Sequence, residues 1–223
     1  IMAGAQDNGT NRLMDGTWTH ILGADGMEAA VDLTDPTILY ATSQNGGLNR
    51  TDSSGTDWEY IAPPDDGAWV TPYAQDPTFP GRMVAGYTNL WASDNRGDTW
   101  YSMTNWNSDN FVRCVAIAPS DGTVIYAARN DLVERCVDGG FVWTNIRPGL
   151  PNIAPTSIAV SPVDPMHAWI SYSGTTAGKK VYETQDGGLT WTNRSLNLPN
   201  VPTNSVVVQP GSPNGLYVGT DLG

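Results

Sequence analysis

Apolar residues along the chain come in short runs that end at turn residues, and this spacing predicts strands, not helices. Ala30-Val-Asp-Leu-Thr, Val115-Ala-Ile-Ala, Ile158-Ala-Val-Ser and Val206-Val-Val-Gln are strand-length runs, closed by Asp35-Pro36, Pro119, Pro162 and Pro210. Runs of this length bounded by Pro, Gly, Asn and Asp are the mark of strands joined by tight turns. A second strand follows each, with an aromatic at one register: Tyr40, Tyr126, Trp169 and Tyr217. A Gly/Asn turn then leads to a third strand, which enters an eight-residue frame seen most fully as Thr184-Gln-Asp186-Gly-Gly188-Leu-Thr-Trp191. Its Asp can bond the backbone ahead of it, its Gly tolerates positive φ, and its Trp fills apolar space at the start of a fourth strand.

The frame recurs as Cys136-Val-Asp138-Gly-Gly140-Phe-Val-Trp143, Ser93-Asp-Asn95-Arg-Gly97-Asp-Thr-Trp100 and Thr51-Asp-Ser53-Ser-Gly55-Thr-Asp-Trp58, with a degenerate copy at Asp15-Gly16-Thr17-Trp18. Tryptophans thus close copies at 18, 58, 100, 143 and 191. A unit of about 43 residues repeated along the whole chain signifies a propeller or solenoid, and four antiparallel strands per unit signify a propeller blade. The expected fold is therefore an all-β propeller in one domain over 1–223. It has four complete blades at about 23–64, 65–106, 107–150 and 151–198, with part-blades at 1–22 and 199–223. First strands should line the axis, and faces of neighbouring blades should bury the aromatics. Met2-Ala-Gly-Ala-Gln matches Tyr40-Ala-Thr-Ser-Gln, and Leu216-Tyr-Val-Gly-Thr matches the same second strand. Closing the two ends into a fifth blade would use that strand twice. The expectation is an arc of a longer propeller whose open faces and edges are covered by further propeller sequence or a partner chain.

Composition sharpens this. Gly (24) and Pro (16) suit many tight turns, and no stretch approaches the ~18 apolar residues of a membrane span. Ile1 falls inside what later copies show to be a strand, so a processed or truncated terminus is expected and the lack of a leader says nothing of location. A net charge of −12, with Lys179 and Lys180 the only lysines, disfavours nucleic-acid binding. The acid-rich, lysine-poor composition looks like that of an exported bacterial protein, secreted or at the cell surface. Cys114 falls on a first strand and Cys136 on a third. Those strands lie roughly 9–10 Å apart, too far for a disulfide, so two buried free thiols are expected.

The Ser/Thr-x-Asp-x-Gly-x-Thr-Trp frame is that of the Asp-box, and the chain resembles the Asp-box (BNR-repeat) β-propellers along its length. These include sialidases, family 74 xyloglucanases, the sortilin ectodomain and photosystem II assembly factors. Gly4-Ala-Gln-Asp-Asn-Gly9 and Leu22-Gly-Ala-Asp-Gly-Met27 are most similar to secreted propeller proteins of Bacteroidetes-type bacteria. Ser53 and Asn95 depart from the frame's Asp, and Cys136 from its Ser/Thr. The resemblance implies a structural role for the frame itself; Arg96-Gly97-Asp98 sits in its variable positions.

Candidate chemistry lies in the loops leading into the first strands. Asp25-Gly26-Met-Glu28 aligns with Asp66-Gly67-Ala-Trp69; Asp65 adjoins the second loop, and Asp109 holds a similar place in the next blade. Converging carboxylates there would serve as a glycosidase acid/base pair, Asp25 and Asp66 being the catalytic candidates, or as Ca²⁺ ligands. They would equally serve as turn residues capping amides. Trp69 and Trp106, exposed beside them, would stack on sugar rings, whereas Trp91 and Trp169 read as core. The nine arginines are scattered, and no sialidase arginine triad can be assembled. His20 and His167, in different blades, support neither a zinc site nor a Ser-His-Asp triad. No cofactor is expected. The leading reading is a binding or structural module recognising glycan or protein, and its rival is a fragment of a glycoside hydrolase.

Overall fold

A computed structural model describes residues 1–106, 109–212 and 215–223. Among them the chain is all-β, with antiparallel strands and one short 3-10 turn at Gln44–Gly46. It divides into two compact units, residues 1–75 with 79–111, and residues 76–78 with 112–223.

In the first unit, β1 (Met2–Ala5), β2 (Gly9–Met14) and β3 (Thr17–Leu22) form a three-stranded sheet. β4 (Ala29–Val31), β5 (Leu39–Ser43), β6 (Gly47–Thr51) and β7 (Glu59–Tyr60) form a four-stranded one. So do β8 (Tyr73–Gln75), β9 (Met83–Gly86), β10 (Leu90–Ser93) and β11 (Tyr101–Ser102). In the second unit, β12 (Cys114–Ala118), β13 (Asp121–Ala128), β14 (Val133–Cys136) and β15 (Trp143–Asn145) form one sheet. Another holds β16 (Pro155–Val160), β17 (Ala168–Tyr172), β18 (Val181–Thr184) and β19 (Thr192–Asn193). Finally β20 (Thr203–Val208) pairs with β21 (Leu216–Thr220). Each sheet meanders, sequential strands pairing in sequential order.

The second strands β5, β9 and β17 are buried at nearly every position, on both faces. That is why they read as unbroken apolar runs (Leu-Tyr-Ala-Thr, Met-Val-Ala-Gly, Ala-Trp-Ile-Ser-Tyr) without alternation. In the first unit, Ile38, Tyr40, Leu48, Ile61 and Met83 cluster, with Tyr73 and Trp100 against them. In the second, Tyr126, Val133, Ile146, Ile170 and Tyr172 belong to one cluster, and Trp169, Val181 and Val206 make another. Each such side chain contributes about 1.5–3 kcal/mol by leaving water. Tyr40, Tyr126 and Trp169 are buried as the aromatic register predicts, but Tyr217 is 62% exposed. Its strand pairs with β20 alone among the described residues, so no third strand shelters it.

The recurring frame folds the same way in all four copies. The hydroxyl or thiol at its first position accepts the amide of its fifth residue: Gly55 to Thr51, Gly97 to Ser93, Gly140 to Cys136 Sγ (2.8 Å) and Gly188 to Thr184 (2.7 Å). The third residue accepts the amide of the seventh, through Asp138 and Asp186 carboxylates, the Asn95 amide oxygen and the Ser53 hydroxyl. Ser and Asn stand in for Asp because the turn needs one acceptor oxygen there, not a charge. Cys136 stands in for Ser/Thr likewise, and burial raises its thiol pKa. Both cysteines are free and buried. The degenerate first copy is a two-residue turn, Asp15 and Gly16 both at positive φ, the geometry a tight hairpin favours. The Trp opens the fourth strand at Trp143, stands one residue before it at Trp58, Trp100 and Trp191, and is the second residue of β3 at Trp18.

Candidate functional site

The lead-in loops are built for close backbone approach. A Cβ on Gly26 would overlap the Gly9 carbonyl, and one on Gly67 would overlap Gly46, so each Asp-Gly presses its backbone onto the hairpin turn of the preceding sheet. Tyr87 Oη closes the second of these contacts by donating to Gly46 O (2.7 Å). Asp25 accepts the Asp7 amide (2.7 Å) and donates its own amide to Gln44. Asp65 accepts from Thr88, the Asn89 amide, Trp91 Nε1 (2.8 Å) and the Asp66 amide. Partial burial would raise its pKa, but these donors outweigh burial and hold it down. Both carboxylates are thereby committed as caps. Trp91 is half-buried, its indole tied to one of them, and Trp169 is core.

The remaining candidates differ. Glu28 is itself exposed and holds Thr42 through its backbone; the groups packed around it desolvate its carboxyl and push it upward. That is the direction a proton donor needs. Burial, then Glu28, raises the pKa of Tyr73. Asp66 and Asp109 are exposed. Trp69 is 48% exposed beside exposed Val70, whereas Trp106 is half-buried, its amide bound to Asn89. Among the described residues no group of three or more His, Cys, Asp or Glu side chains is placed to hold a metal ion. Asp7, whose amide Asp25 accepts, lies in the β1–β2 turn at positive φ.

Three arginines that read as scattered share one register and one task. Arg12, Arg50 and Arg135 lie on third strands, opposite the residue that follows the frame's Trp. Each donates to a carbonyl in the turn of the next sheet's frame: Arg12 to Ser54, Arg50 to Arg96 (2.9 Å) and Arg135 to Gly187 (2.5 Å). Alignment on the tryptophans carries that signal, since Arg50 and Arg135 directly precede Thr51 and Cys136. The Arg96-Gly97-Asp98 tripeptide is consumed the same way: Arg96 pairs with Asp32 (2.9 Å), Gly97 lies against Ile61, and Asp98 pairs with Arg50.

At the same register β18 carries Glu183, opposite Thr192. Glu183 is buried between His167 Nε2 (2.9 Å) and Arg194 (2.7 Å). Burial favours its neutral form, but the bonds from His167 and Arg194 outweigh that and lower its pKa. It borders a 510 Å³ groove in the second unit, lined chiefly by Trp169, Val181, Arg194, Leu198, Leu216 and Val218. Two further hollows surround Arg50 and its carboxylate partners in the first unit. None of the three is lined by Asp25, Glu28, Asp65, Asp66, Trp69, Trp106 or Asp109.

No protein-family model and no curated protein sequence matches the chain. Solved structures do. It is similar to the GH74 xyloglucanase from Xanthomonas campestris, at TM-score 0.77 and 20% identity over 98% of this chain and 40% of that one. It is similar to an ancestral GH74 enzyme at TM-score 0.77 and 16% identity, over 98% of this chain and 34% of that one. It also matches YCF48 bound to D1 peptide, at TM-score 0.64 and 17% identity over 95% and 68%. The chain spans well under half the length of the GH74 enzymes. At these identities the likeness defines the fold, which is β-propeller-like.

Proposed function

We propose that the chain is a secreted or cell-surface β-propeller module of the Asp-box type that binds a glycan without cleaving it, on the lead-in loops around Trp69. The observation that carries this reading is the contrast within those loops. The aromatic that would stack on a sugar ring is exposed, while Asp25, one of the two catalytic candidates, is spent on the Asp7 amide and Asp65 on amides, a hydroxyl and an indole, which leaves Asp66 without its paired carboxylate. An exposed indole beside exposed Val70 offers an apolar face with a polar N–H, which suits a sugar. Titration of the chain with soluble xyloglucan and other β-glucan oligosaccharides tests it. Saturable binding should weaken about tenfold or more in Trp69→Ala, the loss that removing a hot-spot aromatic brings.

A hydrolase fragment is the second reading. It is favoured by the GH74 likeness and by Glu28, the candidate carboxyl shifted toward its protonated form. It requires new reducing ends from the same oligosaccharides, lost in Glu28→Gln or Asp66→Asn.

A further inference from the structure

The second unit carries seven of the chain's eleven lysines and arginines but only nine of its 23 carboxylates. Those cations are not spread evenly over it. Antiparallel pairing puts the start of β12, the end of β13, the start of β14 and the end of β15 at one end of their sheet. Arg113, Arg129 and Arg147 all stand just beyond that end, in the lead-in to β12, the β13–β14 turn and the lead-in to β16. Two carboxylates share it. Asp131 is taken by Arg129 (3.3 Å), and Glu134 lies on β14 opposite Asn145.

Arg113 and Arg147 meet on one residue of that turn. Arg113 Nε donates to Asn130 Oδ1 (3.3 Å), and Arg147 Nη2 donates to the Asn130 carbonyl (3.5 Å) and to Asn152 Oδ1 (2.7 Å). Neither guanidinium pairs with a carboxylate among the described residues, and Arg113 is exposed and Arg147 half-buried. Both terminal nitrogens of Arg113, and Nε and Nη1 of Arg147, keep their donors. Two like charges held on one residue repel, so folding alone gives no reason to gather them there. Tyr172, 1% exposed, has a hydroxyl without a hydrogen-bond partner among the described residues, and Arg147 lies close enough for its charge to act on it.

We propose that Arg113 and Arg147, with Asn130 and Asn152, form a binding site for a sulfate or phosphate ester carried on a sugar. A carboxylate has two oxygens, which one guanidinium fork satisfies side by side. A tetrahedral ester presents three terminal oxygens, so one group bridges two forks and relieves their repulsion. The exposed Asn130 and Asn152 amides have N–H donors left for ring hydroxyls. A net charge of −12 disfavours a polyanion, so the ligand is a single ester on an otherwise neutral sugar. The sugar as carrier rests on the glycan-binding reading above, while the site stands on other loops than that of Trp69.

The probes are glucose 6-sulfate, glucose 6-phosphate, glucose and inorganic sulfate, each titrated into the intact chain at low salt. Calorimetry and the arginine side-chain NMR signals report binding. At least one sugar ester should bind saturably with a Kd below about 1 mM and shift the Arg113 and Arg147 signals, and the tighter ester names the group. Glucose should leave those signals in place. Arg113→Gln and Arg147→Gln should each weaken ester binding about tenfold or more, because a charge-assisted bond is lost. Arg147→Lys should stay weak, since an ammonium does not reproduce the fork. Lys179→Gln removes the same charge from an exposed position in the β17–β18 turn and should change affinity less than about twofold. Trp69→Ala should leave ester binding intact, so the neutral-glycan reading and this one fail separately. No saturable binding of either ester up to about 1 mM overturns the proposal. So does full activity of Arg147→Lys, or inorganic sulfate that binds as tightly as the sugar esters, which would mark an adventitious ion only.

Discussion

Gly188→Ala should destabilise the second unit far more than Gly178→Ala, although both glycines have positive φ, +92 and +66. The left-handed conformation alone costs an L residue about 1–2 kcal/mol. At Gly178 nothing lies within 4 Å of a built Cβ, so that is the whole cost. At Gly188 the new Cβ would sit 2.6 Å from both Cβ and Cδ1 of Ile146, which is almost fully buried. Forcing a methyl into such packing adds about 1–3 kcal/mol, for a total of about 2–5 kcal/mol. Urea unfolding followed by Trp fluorescence measures the difference. With a slope of about 1–3 kcal/mol per molar for a unit of this size, Gly188→Ala should unfold about 1 M earlier than Gly178→Ala. Adding Ile146→Val to Gly188→Ala should recover part of the clash, a coupling that a double-mutant cycle reads directly. Equal midpoints for the two alanine variants, or no coupling to Ile146, would refute the packing of Gly188 on Ile146.

Other consequences follow from the same hairpins. Trp191→Phe keeps the apolar ring but leaves Ile146 O without its indole donor, and should lower stability by about 1–3 kcal/mol in the same unfolding assay. Cys136→Ser should be close to neutral, because Ser and Thr hydroxyls already accept the equivalent amide in the other copies. Cys136→Ala should cost about 1–3 kcal/mol by stranding the Gly140 amide. Burial pushes the Cys114 thiol to about 12, so it should resist a water-soluble disulfide reagent until the chain unfolds. The Asp186 carboxyl is held at about 2, first by the Thr190 hydroxyl and amide. Its folded pKa lies below the unfolded value near ~3.9. Its contribution is therefore complete above about pH 4 and fades as pH falls toward 2. Asp186→Asn, which keeps an acceptor oxygen as Asn95 does but not the charge, should hold the turn, lose that charge-dependent contribution at neutral pH and flatten the acid limb of the stability–pH curve.

The strand order and the turns were legible because they rest on local chemistry. Pro/Asp turns, buried second strands and the Asp, Asn or Ser acceptor of each frame are written in consecutive residues. The Asp-Gly loops were half legible. That Asp25 caps Asp7 could be weighed as a turn role, but that Gly26 lies on Gly9 is a contact between sheets. The arginine clasp was missed because its partner is a backbone carbonyl about 40–50 residues ahead, and a carbonyl leaves no mark in sequence. Glu183 was missed for the opposite reason. It is one carboxylate among many in an acidic chain, and only its shared register with Arg50 and Arg135 sets it apart. Tyr217 shows where periodicity misleads: its register is that of a core aromatic, but burial also requires a neighbouring strand.

The claim that the lead-in loops bind and do not cleave is tested most directly by one paired measurement on one sample. Calorimetric titration of the chain with a xyloglucan oligosaccharide is followed by a reducing-end assay of the same mixture after prolonged incubation. The account predicts a saturable heat whose affinity falls about tenfold or more in Trp69→Ala, with no new reducing ends. Reducing ends that accumulate with the wild-type chain, and vanish in Glu28→Gln or Asp66→Asn, would contradict it and make the loops an active site.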